Sequence, residues 1–150
     1  MIDRLVSGGL EIVSGLLLLA LMGVTGVDVV GRYLLDAPLP GAFEMTELLL
    51  GALVFSALPL VGRTGGHVEV DLLANALPAA AARALLWMAA ALSAVVLAVF
   101  AWRLGALGLG QAEDGARSIS LGIPFAPLAF FGAASCVLAA ILGLIRVHRA

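Results

Sequence analysis

The chain has 150 residues, 63% of them hydrophobic and 12% charged, with mean hydropathy +1.15 and net charge −2. Soluble domains carry about 25% charged residues, so a water-soluble globule is excluded, and scattered charges without a basic patch exclude nucleic acid as a partner. A hydrocarbon slab about 30 Å thick takes roughly 20 apolar residues as helix, which leaves room for four spans with short connections.

The first apolar run, uncharged from Ile12 to Val27, is too long for a secretory signal, lacks a small-x-small cleavage site and continues into Asp28-Val29-Val30. It is read as a retained first span over about 10–34. Near its end Asp28 and Arg32 stand four apart with the acid first, the favourable order for a pair on one helix face. That pair either neutralises itself at the membrane edge or serves a partner. Pro38-Leu39-Pro40-Gly41 then forms a turn that launches a second span over about 43–62. Glu44 and Glu47 fall in its first turns, where the helix dipole favours negative charge. Dipole compensation accounts for Glu44. Glu47 lies deeper and calls for a protein partner, with Arg32 the nearest candidate across the short loop.

Arg63-Thr64-Gly65-Gly66 ends the second span. In the loop that follows, His67, Asp71 and Asn75 recur every four residues before Pro78, the pattern of a short amphipathic interfacial helix over about 67–77. One histidine with one aspartate is a weak basis for a metal or a proton shuttle, so loop structure or partner contact is the favoured role. The third span covers about 82–109. Its Trp87 and Trp102 are roughly 22 Å apart at 1.5 Å per residue, which suits one tryptophan at each interface. The third loop carries Glu113, Asp114 and Arg117, either solvated or available to a soluble partner. A fourth span over about 125–145 holds the single cysteine, Cys136, which is read as a packing residue.

The expected fold is therefore all-α and integral to the membrane, one domain of four spans with the interfacial segment between the second and third. Cytoplasmic segments carry the excess of positive charge. Arg4, Arg63, Arg83, Arg146 and Arg149 on one side, against Arg32, Arg103 and Arg117 on or near the other, place both termini in the cytoplasm. Glycine and alanine are abundant, and Gly15, Gly23, Gly51, Ala57, Ala90 and Ala94 are candidates for close helix approach. No nucleophile with its base, phosphate-binding loop, paired haem histidines or metal cluster is legible, so no catalytic residue and no cofactor is expected. Charges lie toward span ends and leave the deep parts bare, which points to a subunit that positions another protein.

Gly31-Arg32-Tyr33, Pro38 and Pro40, Glu44 with Glu47, Arg63, His67-Val68-Glu69-Val70-Asp71 and Leu77-Pro78 come in an order and spacing that resembles the small membrane subunit of tripartite ATP-independent periplasmic (TRAP) transporters. Ser118 to Pro124 adds a weaker match. The chain departs from that family in Gly41-Ala42-Phe43, where many members carry tryptophan, and in Ser56-Ala57-Leu58-Pro59-Leu60, where many have a glycine-alanine motif. The resemblance implies a bacterial inner-membrane protein in a sodium-driven importer of organic acids, with two partners: a large transport subunit and a periplasmic substrate-binding protein. Carried onto this sequence, it makes Asp28, Arg32, Glu44, Glu47, Arg63, His67 and Asp71 candidates for contact with helices, the large subunit or membrane lipid. Pro38, Pro40, Glu113, Asp114 and Arg117 are candidates for docking the binding protein. Two rivals rank below it. A stand-alone homodimeric four-helix exporter would need a charged or aromatic site inside its bundle, and a membrane redox enzyme would need paired cysteines or histidines.

Overall fold

The computed structural model describes residues 2–64 and 78–149. They form four helices, α1 (Ile2–Leu34), α2 (Ala42–Thr64), α3 (Ala79–Glu113) and α4 (Ala126–Arg149), each long and apolar enough to cross a membrane. Among the described residues the only β pairing is an isolated bridge between Arg117 and Pro124. The interfacial segment expected over 67–77, with His67 and Asp71, lies outside the described residues.

The helices end where local chemistry requires it. At the end of α1 the Gly31 carbonyl accepts the N–H groups of Leu35 (3.3 Å) and Ala37 (2.9 Å), and Asp36 adopts φ +48°. Aspartate is among the few residues that tolerate this left-handed conformation. Only glycine fits at position 31, because a Cβ there would lie 2.5 Å from the Ala37 carbonyl oxygen. α2 runs unbroken through Pro59, whose ring is fully buried. Pro127 falls in the first turn of α4, where a missing N–H costs no helical bond.

Among the described residues three pairs of helices pack: α1 on α2, α2 on α4, and α4 on α3. The helices therefore stand in single file, in the order α1, α2, α4, α3, and do not close into a bundle. α1 meets α2 along Leu10, Ser14, Leu17, Leu21, Val24, Asp28 and Gly31, the positions that lose exposure, at alternating spacings of four and three. This is the 3.5-residue seam of a coiled coil. Near the N-terminal end of the seam the Ser56 hydroxyl gives its one proton to the Leu53 carbonyl (2.8 Å), so Ser14 donates to Ser56 Oγ, also at 2.8 Å. Ser56 is completely buried, and the bond satisfies a hydroxyl that lipid would leave unpaired.

α4 has neighbours on two sides and is built for it. Its buried positions are Ala126, Ala129, Gly132, Ser135, Cys136 and Ala139, all small. A Cβ on Gly132 would lie 2.8 Å from the Phe55 ring of α2, and one on Gly108 of α3 would lie 3.0 Å from the Phe130 ring of α4. Gly51 receives Leu128 at 3.2 Å in the same sense, whereas Gly15 and Gly23 have nothing within 4 Å. Of the candidate glycines, Gly51 is thus at a helix contact, while Gly15 and Gly23 face open surface. At the far end of the row the Trp87 and His148 rings meet edge to face, 6.3 Å apart, tying the start of α3 to the end of α4.

This packing predicts that Gly132→Val, by displacing Phe55, destabilises the folded subunit in detergent by about 1–3 kcal/mol. Gly15→Val changes stability by less than about 0.5 kcal/mol, as expected for a substitution in open surface. Thermal unfolding of the two variants followed by circular dichroism checks the contrast.

Candidate subunit interface

Two connections lie at one end of the row, hereafter the hairpin end: residues 35–41 between α1 and α2, and residues 114–125 between α3 and α4. Each is held by one carboxylate.

Asp28, half-buried on α1, accepts the Arg32 guanidinium at 2.9 Å through Oδ2 and the Leu39 N–H at 3.0 Å through Oδ1. The pair expected from the four-residue spacing is formed, and its second oxygen folds the first loop back onto the helix. A shallow apolar cavity of about 570 Å³ lies between Val27 and Val30 of α1 and Leu35, Pro38 and Pro40 of this loop. Pro38 and Pro40 thus shape an exposed apolar notch.

The second connection is a short hairpin. Phe125 N–H donates to the Ala116 carbonyl (3.3 Å), Ser118 N–H to Ile123 O (2.9 Å) and Gly122 N–H to Ser118 O (3.0 Å). Ser118 Oγ accepts from Ile123 N–H at 3.2 Å, and Arg117 Nη1 donates to the Gly122 carbonyl at 3.1 Å. Arg117 therefore closes the hairpin on itself. The tip is carried to α2 by Glu44, whose carboxylate accepts Ser120 N–H (2.9 and 3.0 Å) and Leu121 N–H (3.2 Å). Gly41 makes room beside it. It has φ +74°, and any Cβ would lie 2.8 Å from the Leu121 side chain. Ile119, between the clamped residues and the hairpin's first strand, is 99% exposed.

The expected pairing of Glu47 with Arg32 is not formed. Arg32 is engaged on its own helix by Asp28. Glu47 is exposed, and among the described residues nothing bonds to its carboxylate. The acid that reaches across the fold is Glu44, which its place in the helix assigned to dipole compensation and the family resemblance to contact with helices, the large subunit or lipid. Its partners are backbone amides 76 and 77 residues away, which leave no side-chain signature to read. Glu113 and Asp114 are exposed at the end of α3, and Arg63 lies in the last turns of α2.

Arg103 also sits differently from its sequence reading at the edge of a span. α3 continues ten residues past it to Glu113. It is exposed on the side of α3 turned away from α4 and has no hydrogen bond or ion pair among the described residues. A charge at the centre of a span costs about 2.5–3.5 kcal/mol on insertion scales.

If Glu44 clamps the hairpin, Glu44→Ala removes hydrogen-exchange protection from the amides of Ser120 and Leu121 while the helical amides of α3 and α4 keep theirs. Glu44→Gln retains one acceptor oxygen and most of the protection. Exchange mass spectrometry in detergent distinguishes these outcomes.

Four membrane-crossing helices, a charged and clamped hairpin end, and the motif order noted above converge on one family. Residues 21–150 match the family described as "Tripartite ATP-independent periplasmic transporters, DctQ component". Comparison with individual curated proteins returns no match. DctQ is a transporter component family and not an enzyme class. The chain, a multi-pass membrane protein, therefore belongs to the DctQ family: it is the small membrane subunit of a TRAP transporter.

Proposed function

We propose that this subunit is a stationary flank for the large transport subunit in the bacterial inner membrane, and that its hairpin end helps dock the substrate-binding protein during sodium-driven uptake of an organic acid. The observation that carries the scaffold role is the single-file packing. With three helix pairs in contact among the described residues, both faces of the row are apolar and uncovered by them: Ile12, Leu19 and Met22 on α1, Leu50 and Val54 on α2, Leu92 and Val95 on α3. A row has no enclosed interior in which to build a passage. Large uncovered apolar surface marks a face for lipid or for another membrane protein. A stand-alone exporter would need the closed, charge-lined bundle that this arrangement lacks among the described residues.

Charge distribution supports the orientation. Asp28, Asp36, Glu44, Glu47, Glu113 and Asp114 gather at the hairpin end, while Arg4, Arg63, Arg83, Arg146 and Arg149 lie toward the other. By the bias of arginine toward the cytoplasm, both termini are cytoplasmic and the hairpin is periplasmic. The clamps of Asp28 and Glu44 hold that surface in shape, so a soluble partner meets a preformed face and loses little to loop ordering. Pro38, Pro40, Glu113 and Asp114 lie on it. Arg117, spent on closing the hairpin, helps to shape it.

Two measurements test this reading. Ile119→Cys in a Cys136→Ala background should react with a membrane-impermeant maleimide added outside intact spheroplasts, and labelling only after lysis would reverse the orientation. Proteoliposomes that contain the large subunit and binding protein should show sodium-dependent uptake of their substrate only when this chain is present; full uptake in its absence would remove the scaffold role.

A further inference from the structure

Arg103 is a charge that the fold does not use. Its depth follows from the antiparallel packing of α3 on α4. Gly108 lies against Phe130, and Trp87 against His148. Arg103 is five residues, about 7.5 Å, below Gly108, and Phe130 is four residues, about 6 Å, below the first residue of α4. The guanidinium-bearing position thus lies about 13 Å inside the hairpin end of α4 and about 24 Å from Trp87. The hydrocarbon is about 30 Å thick, so a position about 13 Å inside the hairpin end lies deep within it, and Trp102, expected from its spacing to Trp87 to stand at an interface, lies deep with it.

The surroundings agree. On α3, exposed Val95, Val96 and Val99 lie below Arg103, and exposed Leu107 and Leu109 lie above it. Apolar surface therefore continues past the arginine toward both ends, and it does not mark a rim. The distance to either headgroup layer exceeds what a snorkelling side chain covers. Every acid at the hairpin end is on the α1 and α2 side of the row, in the loops or at the tip of α3. None among the described residues pairs with Arg103. Among the described residues α3 touches only α4, so the face that bears Arg103 is the open end of the row.

We infer that Arg103 forms an intramembrane ion pair with a carboxylate on a transmembrane helix of the large subunit, and that the open face of α3 is where that subunit packs. An ionised guanidinium in a low-dielectric site requires a hydrogen-bonded counter-charge. A carboxylate provides it with bidentate geometry that an ammonium in the place of Arg103 reproduces only in part. This inference rests on the reading of the chain as a partner of a large membrane subunit, and makes one face and one residue of it specific.

The test uses the native complex, extracted in mild detergent through a tag on this chain. Arg103→Leu and Arg103→Glu should lower the amount of large subunit recovered by at least about tenfold, because each leaves a desolvated acid unpaired on the other side. Arg103→Lys should keep an intermediate amount. Since a variant can also fail by misfolding, a benzophenone amino acid placed at Val99, one turn from Arg103 on the same exposed face, provides a second measurement that keeps the arginine: on illumination it should cross-link to the large subunit. Cross-linking to lipid alone, with the large subunit fully retained by Arg103→Leu, would overturn the inference and leave the scaffold reading intact. Recovery of the unsubstituted chain without any large subunit would overturn both.

Discussion

The structure depends on how closely helices approach α4. In lipid there is no hydrophobic force between helices, because acyl chains are as apolar as leucine, and association rests on packing and on interhelical hydrogen bonds. The central helix meets this with a surface of small residues, Ala126, Ala129, Gly132, Ser135, Cys136 and Ala139. The Phe55 ring of α2 packs against its Gly132, and its own Phe130 packs against Gly108 of α3. The α1–α2 contact adds a different solution, a heptad seam with one serine pair within it. Neither contact brings α1 near α3, so the molecule extends sideways in the membrane.

That sideways extension separates the roles of surface and end. The faces of the row are largely apolar, and Arg103 interrupts that of α3. The hairpin end is the polar, shaped part. Two carboxylates there, Asp28 and Glu44, accept backbone N–H groups from the two connections. Each clamp fixes a loop onto a helix terminus, and Gly41 allows the two loops to meet at Leu121. A subunit that widens a rigid frame and presents a fixed surface to a soluble partner requires these two properties together.

Much of this was legible in the sequence, for physical reasons. Four spans follow from apolar runs that only a membrane accommodates, and the Asp28–Arg32 pair follows from helical spacing. The family followed from motif order. What was not legible involves partners without a side-chain signature or a choice among equivalents. Glu44 bonds to amides in a distant loop. Small residues are so frequent that Gly15 and Gly23, on open surface, look the same in sequence as Gly108 and Gly132, which hold the row together. Arg103 was placed toward an edge because the third span was expected to end at about residue 109. The helix does not end there, and its register against α4 puts the charge far from either terminus.

The central claim is that this row of helices is completed by a second, larger membrane protein. Native mass spectrometry of the chain extracted from its own membranes tests it most directly. The account predicts an assembly in which the chain is bound to one kind of large multi-helix membrane subunit. A mass that corresponds to two copies of this chain and nothing else, persisting under gentle extraction, would contradict it.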